Sequence, residues 1–149
     1  MKIAIATDHN GVNEKIQIIN ALSEYNFIDK SPINTDTDDY PDFAYEVAKS
    51  VINKETDLGV LMCGTGIGMS IAANKVKGIR CAHCSNKNEA HLAKEHNNAN
   101  IIAISYKQDL NDIIEMIKEF IITDPSKEER HIRRVNKIIN YENGAYNEL

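Results

Sequence analysis

A cysteine stands beside a run of flexible backbone at Cys63-Gly64-Thr65-Gly66-Ile67-Gly68-Met69-Ser70, directly after the apolar segment Leu58-Gly59-Val60-Leu61-Met62. The pattern predicts a strand, a tight turn and a helix. Three glycines in five positions let successive backbone N–H groups turn toward one point, and a helix through Ile71-Ala72-Ala73 adds its positive end there. Such a turn suits a small anion, or an oxyanion that develops during a reaction. A thiol at its lip can be held partly as thiolate, because a helix N-terminus lowers a thiol pKa from its free value of about 8.5. Cys63 is therefore a candidate base or nucleophile. The same residues also fit a strand-to-helix turn around a buried, inert cysteine, and the loop alone does not choose between the two.

Better-known glycine loops do not fit. A nucleotide-binding P-loop ends in Gly-Lys-Ser/Thr, whereas this loop ends Gly68-Met69-Ser70 and has no lysine for the phosphates. The dinucleotide fingerprint requires a small residue three places beyond Gly66, where Met69 stands. A cysteine phosphatase requires an arginine to close the loop, and Met69 occupies that place too. Cys81-Ala82-His83-Cys84 resembles a redox or zinc pair, but it falls in a predicted strand, where residues three apart face opposite ways and cannot share a metal.

The elements that must position Cys63 follow from hydrophobic periodicity. Ile3-Ala4-Ile5-Ala6 reads as a buried strand, Val12, Ile16, Ile19 and Leu22 recur at helical spacing, and Phe27-Ile28-Asp29 returns to an extended run. A helix from Tyr40-Pro41 through Val47 and Val51 carries its proline in the first turn and leads into the strand before Cys63. A short strand at Ile79–Ala82, a helix from Asn88 to Glu95 and a strand at Ile101–Ile104 continue the alternation. Leu110, Ile113, Ile114, Ile117, Phe120 and Ile121 mark an amphipathic helix; Ile132, Val135, Ile138 and Ile139 mark a last one after Asp124-Pro125. This order predicts a three-layer α/β/α fold: a five-stranded parallel sheet of flavodoxin- or Rossmann-like type, its strands in flavodoxin-like order, plus a C-terminal helix. Ligands of such sheets bind at the C-terminal ends of the strands, which here carry Asp8-His9 and Cys63-Gly64-Thr65.

Composition bounds what these groups can serve. The 149 residues, 42% hydrophobic, fit one compact domain over residues 1–149. A formal charge of -5 without a basic, aromatic-interleaved stripe argues against nucleic acid as the main partner. No apolar run approaches the roughly 18 residues that cross a bilayer. Three cysteines form no disulfide framework, and a cytoplasmic protein is expected. Arg130, His131, Arg133 and Arg134 form a basic cluster in this acidic chain. They fit a solvated helical face, and equally Arg130 and Arg134, four apart on a helix, can reach one phosphate. His83, His91 and His131 read as structural, and Asp36-Thr37-Asp38-Asp39 as a solvated loop before Tyr40.

At this point the motifs coincide with a family. Asp8-His9, Tyr40-Pro41-Asp42, the Cys63–Gly68 loop with Ser70-Ile71-Ala72-Ala73-Asn74-Lys75, Gly78-Ile79-Arg80, Glu95-His96-Asn97, Arg130-His131 and Arg134-Val135 together resemble the ribose-5-phosphate isomerase B family. That family also includes galactose-6-phosphate and allose-6-phosphate isomerases. The resemblance implies an aldose–ketose isomerase acting through a cis-enediolate, with Cys63 as the base that moves a proton between C2 and C1. It implies that the amides of Gly64, Gly66, Ile67 and Gly68, with the Thr65 hydroxyl, stabilise the enediolate oxygen. His96, assisted by Asp8, would open the sugar ring; Asn97 and Tyr40 would orient its hydroxyls; His9, Arg130 and Arg134 would hold the phosphate. It further implies a site shared between subunits, hence a homodimer or tetramer, and neither metal nor organic cofactor.

Two stretches depart from the family pattern. Ser105-Tyr106-Lys107 stands where a glycine, a small residue and an arginine are usual, and the glycine expected around Ser31-Pro32-Ile33 is replaced. Lys107 keeps the positive charge for phosphate but loses the bidentate fork of arginine, so a hexose 6-phosphate stays open as substrate. A receiver-type signalling domain on the same scaffold is the distant alternative. It would carry an acidic cluster after the first strand and an aspartate after the third, where this chain has Asp8 alone and Cys63.

Overall fold

The computed structural model describes residues 1–145. Its elements run β1 (Lys2–Thr7), α1 (Val12–Ala21), β2 (Asn26–Asp29), α2 (Tyr40–Ile52), β3 (Leu58–Cys63), α3 (Ile67–Ala73), β4 (Cys81–His83), α4 (Lys87–Asn97), β5 (Ile101–Ser105), α5 (Leu110–Ile122) and α6 (Glu129–Glu142). The five strands form one parallel sheet in the order β2-β1-β3-β5-β4. The predicted α/β class and strand count hold, but the flavodoxin-like order 2-1-3-4-5 does not: β5 pairs with β3, and the three-residue β4 takes the edge beyond it. Two boundaries move: β4 starts two residues later than the periodicity indicates, and α4 extends to Asn97, so His96 and Asn97 lie on a helix.

The alternation of strand side chains divides the core into two layers. Ile3, Ile5, Val60, Met62, Ile102 and Ile104 point toward α1, α4 and α5, where Ile18, Ala93, Met116, Ile117 and Phe120 complete the packing. Ala4, Ala6, Leu61, Cys63, Ile101 and Ala103 point the other way, against Ala44, Val47 and Ala48 of α2 and Met69 and Ala72 of α3. Small residues dominate this second face, which lets α2 and α3 lie close to the sheet. Cys81 and Cys84 fall in different layers, as their spacing requires. Burial pushes both thiols up to about 12, which removes them as nucleophiles at neutral pH.

Register then sets where the chemistry can be. β3 is central, pairing Thr7 with Met62 on one side and Cys63 with Ser105 on the other. Three strands therefore end at one edge, carrying Asp8-His9, the Cys63 turn and Tyr106-Lys107. Among the described residues no helix is long and apolar enough to cross a membrane.

Gly59 shows how tightly β3 is held. A Cβ there would lie 2.5 Å from Val47 Cγ1 and 3.0 Å from Ile101 Cγ1, so α2 rests on bare backbone. Gly59→Ala is expected to cost about 1–3 kcal/mol of stability through overpacking, read as a lowered denaturation midpoint at unchanged slope.

Candidate active site

The Cys63 turn is organised by its own hydrogen bonds. Gly66 takes φ +79°, the left-handed region glycine enters without strain, and this reverses the chain so that its N–H donates to Cys63 Sγ at 3.1 Å. Cys63 is only 5% exposed, screened from bulk water, with its sulfur turned to the loop by that contact. The Thr65 hydroxyl accepts from the Ile67 N–H at 3.1 Å. Two of the amides that the glycine pattern aims at an oxyanion thus have partners inside the turn, one of them the sulfur itself.

The strand-end loops brace this turn from either side. Ser105 Oγ donates to the Gly64 carbonyl at 2.7 Å, and the Tyr106 N–H donates to the Cys63 carbonyl at 3.2 Å. A Cβ on Gly64 would meet Tyr106 Oη at 3.7 Å and Lys107 Nζ at 3.8 Å, so both residues of the divergent segment border the loop. The Tyr40 ring lies directly over Gly68, where a Cβ would come within 2.5 Å of Cζ. His83 Nε2 bonds the Thr65 carbonyl at 2.9 Å. His83 thus has the structural place its sequence reading gave it, and the brace from Ser105, visible in the sequence only as a departure from the family pattern, arises from pairing across strands.

Asp8 closes a tight turn after β1, its carboxylate accepting the Asn10 N–H at 3.0 Å. Tyr106 faces it from the turn after β5: burial and the charge of Asp8 raise the phenol above its ordinary pKa, so it stays protonated at neutral pH. The ring of Tyr106 fits because Gly11 has no side chain, since a Cβ there would lie 2.7 Å from Cδ1. His9 bonds Asp38, and that hydrogen bond, joined by the charges of Asp38, Asp8 and Asp36, raises the imidazole pKa. Asp38 is not a solvated loop residue. Its side chain is 9% exposed, and hydrogen bonds from Asn34, His9 and the Thr35 amide outweigh burial and hold its carboxyl below the usual range.

The remaining predicted residues lie elsewhere. His96 and Asn97 end α4 just before β5 begins, whereas Cys63 pairs with the last residue of β5. Five strand residues separate the two edges by about 16 Å. There His96 stacks on His131 of α6, ring centroids 4.1 Å apart and planes at 11°. Burial, then His96 and Arg130, lower the His131 pKa, so this partner is a neutral ring. Arg130 and Arg134 are exposed on α6, with Arg130 Nε on Glu128 at 2.8 Å. The chain therefore gathers Asp8, His9, Tyr40, Cys63 to Gly68 and Lys107 at one edge, and His96, Asn97, Arg130 and Arg134 at the other. His131, read from the sequence as structural, is the ring that supports His96.

This fold and these two groups of residues define a class. A profile of the ribose/galactose isomerase family matches residues 3–138. The chain is similar to ribose-5-phosphate isomerase B of Escherichia coli, at 38% identity over 139 residues, covering 92% of this chain and 93% of that one. It is similar in structure to type B ribose 5-phosphate isomerase of Trypanosoma cruzi, with a TM-score of 0.91, 41% identity and coverage of 97% and 99%. The Mycoplasma genitalium ribose-5-phosphate isomerase B with bound ribulose-5-phosphate superposes with a TM-score of 0.88, 40% identity and coverage of 95% and 96%. The chain belongs to the ribose/galactose isomerase family.

Gly66→Ala tests the turn. It forces a side chain into positive φ, with its Cβ 2.9 Å from His83 Cδ2 and 3.0 Å from the Ile104 carbonyl carbon. A loss of about 1–3 kcal/mol in stability is expected, measured by thermal or denaturant unfolding.

Proposed function

We propose that the protein interconverts ribose 5-phosphate and ribulose 5-phosphate, with Cys63 as the base that carries the C2 proton to C1 through a cis-enediolate. The observation that carries this reading is the Cys63 sulfur held by the Gly66 N–H within the Gly64–Gly68 turn, beside Asp8 and Tyr40, in a chain of isomerase family. A weakly acidic C–H requires a base, a dipole array for the oxygen that becomes negative, and a handle that fixes the substrate. The Gly66 N–H, donating to the sulfur at 3.1 Å, fixes the position of the atom that takes the proton. The remaining turn amides, with Thr65, face the developing enediolate oxygen. The loop carbonyls of Cys63 and Gly64, bonded by Tyr106 and Ser105, keep the turn from relaxing as charge moves.

In this reading the site is completed by a second copy of the chain, which brings His96, Asn97, Arg130 and Arg134 to the Cys63 edge of the first. What supports it is distance: one chain carries the two groups at opposite edges of its sheet. His96, stacked on neutral His131, then opens the sugar ring with Asp8, and the arginines join His9 and Lys107 on the phosphate. Exposed Ile67 and Ile71 on α3, and Ile138 and Tyr141 on α6, are apolar surface for such an association. The Tyr106 ring, standing where the family has a small residue, bears on the choice of sugar. Turnover of ribose 5-phosphate, allose 6-phosphate and galactose 6-phosphate side by side separates the pentose from the hexose reading.

Cys63→Ala is expected to keep its fold, by circular dichroism, and to lose C2-hydrogen exchange with solvent by about 10³-fold. Retained exchange at the wild-type rate would refute the base assignment. Mixing unfolded Cys63→Ala with His96→Ala and refolding them together should restore about a quarter of wild-type activity, since half of the random dimers are mixed and each holds one intact site. Activity no higher than that of either variant alone argues that the site is not shared.

A further inference from the structure

The loop before α2 holds an arrangement that the isomerase chemistry leaves unexplained. Asp38 accepts the His9 Nδ1–H at 2.8 Å and the His9 backbone N–H at 3.2 Å through one oxygen, and Asn34 Nδ2 at 2.9 Å and the Thr35 N–H at 3.2 Å through the other. Asn34 in turn donates to the Thr7 carbonyl at 3.0 Å, tying the loop to the end of β1. Four donors converge on one largely buried carboxylate, which fixes it in position and in charge. Its one side-chain partner on the substrate edge is His9, whose Nε2 has no protein partner among the described residues.

We propose that Asp38 is a positioning residue for phosphate recognition: by gripping Nδ1 of His9 it orients the ring and makes Nε2 the atom that meets the substrate's phosphate. The inference rests on the phosphate role given to His9 above. With Nδ1–H committed to Asp38, neutral His9 presents a bare lone pair at Nε2, which repels phosphate oxygens; protonated His9 presents a donor there. Phosphate binding and protonation of His9 are therefore one coupled event. The charged groups facing the imidazole are Asp38, Asp8 and Asp36, all acidic, and each favours the imidazolium. The sign follows. Because the His9 pKa is raised above 6.5, the phosphate contact is complete below that pH, persists above it, and is lost as pH climbs through the raised value.

The test compares wild type with Asp38→Asn, which keeps size and an acceptor oxygen but removes the charge. The His9 imidazole is followed by NMR, its resonance identified by its disappearance in His9→Asn. Expected are a wild-type titration midpoint above 6.5, a fall toward 6.5 in Asp38→Asn, and a wild-type midpoint that rises further when inorganic phosphate is added. With ribose 5-phosphate, KM of Asp38→Asn should exceed wild type by about three- to tenfold at pH 7.5 and by little at pH 5.5, with kcat changed less. An unmoved midpoint in Asp38→Asn overturns the proposal, as does a KM ratio that stays flat with pH. A wild-type protein inert toward every sugar phosphate overturns the isomerase reading instead. In that case a His9 midpoint insensitive to inorganic phosphate overturns this proposal as well, while a phosphate-induced rise that Asp38→Asn abolishes upholds it.

Discussion

The fixed register of β3 between β1 and β5 is the constraint on which the rest of the structure depends. Met62 opposite Thr7 and Cys63 opposite Ser105 bring three strand ends level, and each then releases its chain into a loop that meets the other two. A one-residue slip in a parallel pair would exchange the two faces of the strand, sending Cys63 from the α2/α3 layer into the large-residue layer beneath α5. The alanine-rich face and the bare backbone of Gly59 oppose such a slip, because α2 fits only against small residues. The geometry of the Cys63 edge is in this sense a consequence of core packing.

On that frame the two edges carry different electrostatics. Around His9 the neighbours are carboxylates, and the imidazole is driven toward its charged form. Around His131 burial above all, then the stacked His96 ring, Arg130 and Arg134, outweigh Glu128, and the imidazole is driven toward its neutral form. The same residue type is thereby biased in opposite directions by its surroundings, toward the imidazolium at His9 and toward the neutral ring at His131. A third histidine follows neither use. His91 is bonded by Glu119 and Glu95 on the outer side of α4 and α5, and its raised pKa belongs to an ion-pair network that ties those helices.

Much of this was legible in advance because periodicity and turn chemistry are local. The strand before Cys63, the glycine reversal at Gly66 and the proline at the start of α2 are each written in a few adjacent residues, and each lies where those residues imply. The weakest readings concern groups whose meaning depends on residues distant in sequence. Asp38 looked like one of several solvated acids, and only the approach of His9, 29 positions away, makes it a buried anchor. His131 reads as structural, and the fold adds which ring it supports, His96. Ser105 and Tyr106 are visible as departures from a family pattern, yet their hold on the Cys63 and Gly64 carbonyls comes from strand pairing.

By itself the sequence determined the alternating α/β order, the placement of a thiol at a glycine turn after a central strand, and the family motifs, since all of these rest on neighbours along the chain. The tertiary structure alone decided which of the candidate residues share an edge. It set His96 and Asn97 at the far end of β5 from Cys63, because a helix that runs back antiparallel to its strand must deliver its last turn to the strand's beginning, and the His96–His131 stack brings Arg130 and Arg134 of α6 to the same end.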